Sequence, residues 1–250
     1  MYLTIAAANV DSPEWVELLV KSVRKFTAPG TYEIIIVDNG SLERNLEWLK
    51  RQPDIRLIEN HGNLGHGRAM DQAVEAAVGQ YICVLDIDAH IQRTGWENDL
   101  VALYYADPLT RLIGCVGPAH KPLHPPLFFF ERDFIRNYGL RFMFHPDGDP
   151  RSTDTAQLVY WQILDLGHKV LRLEKGMKIY PDCIGDEIWI GDKATLYHHW
   201  YGTRFRENTD KPQLNLDGYT LRKHLENKAR VFAQPLVREI LGNDGTNAGT

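Results

Sequence analysis

Two acidic side chains separated by a single residue follow a short apolar run. Residues 81–85 are apolar, and Asp86 and Asp88 come directly after them. Two carboxylates at the end of a buried strand are costly unless something neutralises them. A divalent cation with a bound diphosphate would do so, because Mg²⁺ and Mn²⁺ prefer oxygen ligands and often combine carboxylates with substrate phosphates. The spacing therefore indicates a metal and phosphate site; a solvated turn is the alternative for so short a motif.

Strands and helices alternate over the first hundred residues and would have to position these carboxylates. The pattern predicts strands at 3–8, 33–37, 55–58 and 81–85, and helices at 14–26, from a Ser41 cap to Arg51, and at 68–78. Alternation at this spacing predicts an α/β fold with a mostly parallel central sheet flanked by helices. Ligands of such sheets bind outside the carboxyl ends of the strands.

Polar clusters fall at those strand ends. Asn9 follows the first strand, Asp38 the second, the glycine-rich loop 61–67 the third, and Asp86 and Asp88 the fourth. Because parallel strands end at the same edge of a sheet, these groups are expected to share one candidate site.

The alternation weakens beyond residue 100. The pattern predicts a strand at 112–116, a proline-rich loop at 118–126, a helix at 155–166, a hairpin from 169–173 and 177–180, a strand at 194–198, and one or two amphipathic helices within 218–241. The tail from Gly242 is expected to be disordered.

Bulk composition bounds the class of protein. The chain has 250 residues, a net charge of -5, 44% hydrophobic and 24% charged residues, an ordinary globular balance with no global basic field for nucleic acid. No run approaches the ~20 apolar residues of a membrane span, and the start carries no basic leader. Three cysteines, an odd number, read as buried thiols. We therefore predict a cytoplasmic protein.

Four segments together resemble the GT-A glycosyltransferases, most closely those of family 2. They are Ile35-Ile36-Val37-Asp38-Asn39-Gly40-Ser41, Asn60-His61-Gly62-Asn63-Leu64-Gly65-His66-Gly67-Arg68-Ala69, Val84-Leu85-Asp86-Ile87-Asp88 and Tyr197-His198-His199-Trp200-Tyr201-Gly202-Thr203. The resemblance covers residues 1–90 well and the remainder in patches, and the four segments in this order are far more specific than any one of them.

The resemblance implies a role for each matching position on the nucleotide side. Asp38 would accept a hydrogen bond from the base, a uracil, and Arg68 would reach toward the base or a phosphate. Asn9, Asn63 and Gly65 would lie near the nucleotide. Two plainer interpretations stay open: Asp38 could cap a turn with the following Asn-Gly pair, and the 61–67 loop could be an ordinary glycine-rich connection.

The resemblance also implies a metal site. Asp86 would sit by the ribose and the metal, Asp88 would be the firmest ligand, and His198 or His199 would complete the set. We favour His199, because the spacing to Gly202-Thr203 fits the family pattern slightly better. A histidine ligand suits Mn²⁺ better than Mg²⁺. Either histidine could instead be structural.

An inverting enzyme needs a general base for the acceptor hydroxyl. In the family this is a carboxylate at the start of a helix, and the matching place here offers Asp154. The usual adjacent acidic pair is absent, and Asp154 with Gln157 also makes a capping box. Asp186 and Glu187 are the reserve pair. An aromatic acceptor platform at Phe128-Phe129-Phe130, or at Trp200 and Tyr201, competes with ordinary core packing.

The resemblance thus implies a GT-A fold with a catalytic domain at 1–203, in which 1–100 would bind the nucleotide sugar and 101–203 would face the acceptor. A helical extension at 204–241 and the tail 242–250 would follow. The implied activity is inverting transfer of a hexose from a nucleotide diphosphate sugar, UDP first, to an acceptor hydroxyl. A nucleotidyltransferase and a non-catalytic sugar-nucleotide or glycan-binding protein are the alternatives. The acceptor stays open and includes a nucleobase.

Overall fold

The computed structural model describes residues 2–117, 122–143, 155–174, 180, 182–200 and 221–242. Its strands are β1 Leu3–Asn9, β2 Tyr32–Asn39, β3 Ile55–Asn60, β4 Tyr81–Leu85, β5 Ala89–Ile91, β6 Thr110–Val116, β7 Leu123–Glu131, β8 Lys169–Leu173, β9 Gly185–Ile190 and β10 Lys193–His199. Its helices are α1 Pro13–Phe26, α2 Glu43–Lys50, α3 His66–Ala76, α4 Trp96–Ala106, α5 Arg132–Asn137, α6 Thr155–Asp165, α7 Leu221–Phe232 and α8 Pro235–Leu241.

A seven-stranded sheet forms the centre of the molecule, in the order β3-β2-β1-β4-β7-β6-β8. Strands β1 to β4 run parallel to one another, β7 is antiparallel to both of its neighbours, and β8 is parallel to β6. The prediction of a mostly parallel sheet in an α/β fold is confirmed, and β1 to β4 end at one edge.

Helices cover both faces of this sheet because successive strand residues point to opposite faces. Along β1, Ile5 and Ala7 join a core cluster that includes residues of α1, α2 and α4, whereas Ala6 joins a second cluster with residues of α3, α5 and α6. The three cysteines are all buried and none forms a disulfide, as the sequence indicated. None of the helices in the described ranges is long and apolar enough to cross a membrane.

One local prediction is wrong in the second half of the chain. Strand β7 begins at Leu123 and so includes Pro125 and Pro126, which the sequence assigned to a loop. The register between β6 and β7 shifts at this point, and a bulge accommodates residues that cannot donate to a ladder. Strand β8, at the first arm of the predicted hairpin, pairs in parallel with β6, and most of the second arm, residues 177–179, lies outside the described ranges.

A smaller antiparallel sheet, in the order β5-β10-β9, lies beyond the end of β4. Trp15 of α1, Tyr197 of β10 and residues of α7 and α8 share a third core cluster, so the C-terminal helices pack against this region. His90 on β5 lies beside the ring of Tyr197, with 5.4 Å between the ring centroids. Burial lowers the pKa of His90 to about 3, so its ring is a neutral core side chain.

Gly67 marks the closest approach between α3 and the chain that follows α5. A Cβ placed on Gly67 would lie 2.4 Å from the carbonyl oxygen of Phe142. Replacing Gly67 by alanine is expected to lower the free energy of unfolding by about 1–3 kcal/mol, because overpacking outweighs the gain of up to about 1 kcal/mol in helix propensity. Urea denaturation measures the change. Gly62→Ala is the control, since a Cβ there meets nothing within 4 Å; an equal effect of both changes would contradict the steric explanation.

Candidate metal and nucleotide site

The two carboxylates of the acidic motif meet one histidine at the carboxyl edge of the sheet. Strand β4 ends at Leu85, and the turn after it carries Asp86 and Asp88 into β5. Strand β10 runs antiparallel to β5 and places His198 opposite Ala89. The Nε2 atom of His198 lies 3.5 Å from Oδ2 of Asp86 and 3.6 Å from Oδ1 of Asp88.

This cluster has a buried floor and an accessible rim. The side chains of His198 and Asp88 are 6% and 7% exposed, whereas that of Asp86 is 19% exposed. Burial alone would raise the pKa of Asp88, but the adjacent His198 outweighs it and the pKa lies below its ordinary value. Burial alone would lower the pKa of His198, but Asp88 and then Asp86 outweigh it and the pKa is raised. Asp88 and His198 therefore each stabilise the charged form of the other, although both side chains are buried.

The donor set fits a divalent cation. One ligand atom from each of Asp86, Asp88 and His198 can be chosen so that all three lie within 4.8 Å of one another. Two carboxylate oxygens and one imidazole nitrogen suit Mn²⁺ or a similar ion, and would leave positions for phosphate oxygens. Among the described residues, no other group of three or more histidine, cysteine or acidic side chains comes this close together.

His199 points away from the carboxylates. Adjacent strand residues face opposite sides, so its ring lies against Trp15 with 4.4 Å between the centroids, and it is fully buried. Its Nδ1 lies 3.4 Å from Nδ2 of Asn227. Burial is the main reason that the pKa of His199 is lowered to about 3. The preference for His199 as metal ligand is therefore not supported by the geometry, which brings His198 to the carboxylates instead.

His199 still supports the site through its backbone. Its N–H donates to the carbonyl oxygen of Asp88 at 2.9 Å. The amide of Asn227 on α7 pairs with both the N–H and the carbonyl of Ile184, at 2.7 and 3.2 Å, just before β9. Helix α7 thus holds the end of the β9–β10 hairpin that presents His198.

The two histidines are expected to respond differently to replacement. His198→Ala should weaken Mn²⁺ binding by at least about tenfold, since a ligand is lost. His199→Ala should leave Mn²⁺ affinity near that of the wild type and lower the free energy of unfolding by about 1–3 kcal/mol, since a buried stacked ring is lost. Titration of Mn²⁺ followed by electron paramagnetic resonance, beside urea denaturation, separates the effects. The reverse pattern would restore His199 as the ligand.

Asp38 is engaged by the protein itself. Its Oδ1 accepts hydrogen bonds from Nδ2 of Asn9, at 2.8 Å, and from Oγ of Ser41. Its Oδ2 accepts the backbone N–H groups of Gly40, at 3.1 Å, and Ser41, at 2.9 Å. Four bonds occupy the four acceptor positions of a carboxylate, and the residue is only 1% exposed. This geometry favours the turn-capping interpretation, because a base could reach Asp38 only by displacing one of these bonds.

Asp11, which the sequence analysis did not single out, bonds to two residues at the start of α2. Its backbone has φ 45°, and its Oδ1 accepts the N–H of Leu42 at 2.7 Å and Nδ2 of Asn45 at 2.9 Å. The expected cap, Ser41, instead bonds Asp38 and accepts the N–H of Asp11 at 2.7 Å. The loops after β1 and β2 are therefore joined by one polar network.

The loop after β3 and the start of α3 carry two exposed polar side chains, Asn63 and Arg68. The side chain of Asn63 accepts the N–H of Gly65 at 2.9 Å, and Gly65, with φ 87°, is the N-cap of α3. Arg68 is exposed and its guanidinium lies 3.8 Å from the sulfur of Met143. Asn63 and Arg68 are thus exposed, whereas Asn9 is buried and bonded to Asp38.

His66 is a further member of the site that the sequence analysis did not assign. It is the first residue of α3, and its Nε2 lies 3.8 Å from Oδ1 of Asp86, with 28% of its side chain exposed. Its place in the glycine-rich loop was visible in the sequence, but its distance from the acidic motif depends on how α3 lies across the end of β4.

The remaining candidates fall elsewhere. Asp154 lies outside the described residues. Asp186 and Glu187 are buried on β9, and Asp186 pairs in register with His198. The triplet Phe128-Phe129-Phe130 is fully buried in β7, so core packing is the correct interpretation and these rings form no acceptor platform.

The mostly parallel sheet flanked by helices, with its acidic motif at the end of β4, is a fold of the GT-A type. A family model described as glycosyl transferase family 2 matches residues 4–145, more than half of the chain. The chain belongs to glycosyl transferase family 2, as its motifs indicated.

Two curated relatives match the chain in part. An uncharacterised glycosyltransferase of Methanocaldococcus jannaschii is 32% identical over 91 residues, which are 34% of this chain and 31% of that protein. An uncharacterised protein of Sinorhizobium fredii is 27% identical over 103 residues, which are 39% of this chain and 11% of that protein. The matched region thus spans less than a third of either relative.

Solved structures show the same fold at low identity. The mannosyltransferase PcManGT from Pyrobaculum calidifontis, in complex with GDP-Man and Mn²⁺, superposes with a TM-score of 0.51 at 18% identity over 68% of this chain and 54% of that one. S. aureus TarS in complex with UDP-GlcNAc superposes with a TM-score of 0.56 at 14% identity over 98% of this chain and 71% of that one. At these identities the likeness establishes the fold alone.

Proposed function

We propose that this chain is a metal-dependent glycosyltransferase that moves a hexose from a nucleotide diphosphate sugar, with UDP the first candidate nucleotide, to an acceptor hydroxyl with inversion. The observation that carries the proposal is that Asp86, Asp88 and His198 meet at the sheet edge. Strands β1, β2 and β3 end at the same edge. A cation site at the carboxyl edge of the sheet is the arrangement that transfer from a diphosphate donor needs.

Relatives of the fold support the donor class. PcManGT is described with GDP-Man and Mn²⁺, and TarS with UDP-GlcNAc. Both ligands are nucleotide diphosphate sugars, although their bases and sugars differ. The shared element is a diphosphate, and we assign its counterpart here to the acidic end of β4.

The exposure of each side chain suggests which part of the donor it would bind. Asp88 and His198, on the buried floor, would hold the cation, and Asp86 on the rim would complete its ligands. A bound cation would supply positive charge where negative charge grows on the leaving diphosphate. Arg68 and Asn63, which are exposed, would contact the nucleotide directly. Asp38, with its four internal bonds, would shape the base pocket through the loop that it holds.

An inverting transfer also needs a general base for the acceptor hydroxyl. Asp154 remains our candidate on the family pattern alone. Asp186 and Glu187 are the reserve pair, and Asp186 lies on β9 opposite His198. A base for an inverting transfer must lie within hydrogen-bond reach of the acceptor hydroxyl, so separate Asp154→Asn and Asp186→Asn variants would discriminate between the two.

Donor hydrolysis tests the proposal. The purified protein is mixed with a panel of nucleotide sugars, with Mn²⁺ or with a chelator, and release of nucleoside diphosphate is followed. We expect slow, Mn²⁺-dependent release from one or two donors, which would also name the sugar and the base. Thermal shift in the same plate reports donor binding, because a ligand that binds only the folded state raises its stability. Binding without release in the presence of varied acceptors would favour a non-catalytic binding protein, and absence of donor binding with or without metal would overturn the proposal.

A further inference from the structure

We propose that His66 is a positioning residue that holds the carboxylate of Asp86 in its metal-binding orientation, an inference that rests on the proposed function. The two oxygens of Asp86 face two different imidazoles. Oδ2 lies 3.5 Å from Nε2 of His198, and Oδ1 lies 3.8 Å from Nε2 of His66. His198 and His66 thus each approach a different oxygen of the same carboxylate.

The spacing assigns His66 to an outer position. The ligand atoms of Asp86, Asp88 and His198 all lie within 4.8 Å of one another, and His66 does not belong to that group. A ring that reaches only the far oxygen of one carboxylate is placed to orient that carboxylate and is poorly placed to bind the same ion. Hydrogen bonds to ligating carboxylates from outside the first coordination sphere are a general means of fixing ligand orientation.

Both partners are held in place by their own elements. The residue after His66, Gly67, packs so closely on Phe142 that it has no room for a Cβ. One turn further along α3, Asp71 accepts the backbone N–H of Phe142 at 2.8 Å and that of Met143 at 3.2 Å. The first turn of α3 is thus fixed against its neighbour.

Asp86 is anchored from the other direction. Its backbone N–H donates to the carbonyl oxygen of Pro126 at 3.3 Å, on the neighbouring strand β7. Its side chain nevertheless has a soft terminal torsion, because χ2 of an aspartate is broad. A donor on Oδ1 would restrict that rotation and keep Oδ2 directed toward Asp88 and His198. The Nε2–H of His66 needs to move less than one ångström from 3.8 Å to make a normal bond.

Mn²⁺ binding without nucleotide tests this role. The probe is Mn²⁺ alone, titrated into the full chain and followed by electron paramagnetic resonance. His66→Phe keeps a ring but removes the donor, and should weaken Mn²⁺ binding about 10-fold to 100-fold, the usual cost of losing an outer partner. His66→Gln keeps an N–H donor and should recover most of that affinity. His168→Phe, at the opposite end of the sheet beside Phe134, should match the wild type.

Each other outcome overturns the inference. Unchanged Mn²⁺ affinity in His66→Phe, together with weakened UDP binding, would show that His66 contacts the nucleotide and does not orient Asp86. Equal losses in His66→Phe and His66→Gln, with both proteins folded by thermal melting, would show that the N–H donor is not what matters. Failure of the wild-type protein to bind Mn²⁺ would be a failure of the proposed function and would be seen before any variant is compared.

Discussion

Replacing Asp88 by asparagine is expected to reduce metal-dependent nucleotide release by at least about a hundredfold. The carboxylate lies at the floor of the site, 7% exposed and 3.6 Å from Nε2 of His198. Loss of a directly ligating charge removes several kcal/mol of stabilisation of the leaving group, and each ~1.4 kcal/mol is a factor of ten in rate. The same change should abolish the rise in melting temperature that Mn²⁺ gives the wild-type protein.

The control for this experiment is Asp133→Asn. Asp133 is an exposed carboxylate on α5 that pairs with Arg132, and its loss changes the charge by the same amount. Initial rates of nucleotide release at saturating donor, with Mn²⁺ varied, separate a loss of metal affinity from a loss of turnover. Wild-type rates and Mn²⁺ dependence in Asp88→Asn would contradict the assignment of the metal site to the end of β4.

Replacing Asp38 by alanine is expected to act on stability before it acts on donor binding. The change leaves two backbone N–H groups and the side chains of Asn9 and Ser41 without their acceptor, in a place that is almost fully buried. Hydrogen bonds to a charged group contribute about 1.5–3 kcal/mol each, and stranded buried donors cost as much. We expect a loss of at least about 3 kcal/mol in the free energy of unfolding, which for a chain of this size is roughly 6–12 °C in melting temperature.

Two measurements decide what Asp38 does. Urea denaturation gives the change in stability, and calorimetric titration with UDP at a temperature where the variant is folded gives its nucleotide affinity. Asp133→Ala serves as the control, because the side chain of Asp133 is 63% exposed. A variant that is as stable as the wild type but no longer binds UDP would show that Asp38 contacts the nucleobase, as the family resemblance implies. It would also contradict a turn-capping role for Asp38.

The C-terminal helices take part in the architecture of the site. Asn227 of α7 bonds the backbone before β9, and its amide reaches the ring of His199, which stacks on Trp15. The strand that carries His198 is thus held from outside the seven-stranded sheet. The position of His198 therefore depends on a helix that begins more than twenty residues later in the chain.

Much of the fold could be read from periodic patterns. The alternation of β-branched runs and amphipathic helices over 1–100 predicted β1 to β4 and the helices between them, and the parallel sheet followed. Prediction failed where long-range pairing decided the outcome. Pro125 and Pro126 enter β7 because a register shift against β6 accommodates them, and that pairing could not be seen in the local pattern.

The sequence by itself determined the family, the acidic pair at the end of β4 and the edge of the sheet where a ligand would bind, because these depend on residue types and local spacing. Only the tertiary structure decided which histidine meets the carboxylates, since β10 must pair with β5 before the directions of His198 and His199 are set. It also decided that Asp38 is occupied by hydrogen bonds and that His66 approaches Asp86. Both depend on groups that are distant in the chain and that meet only when the strand ends and α3 are packed together.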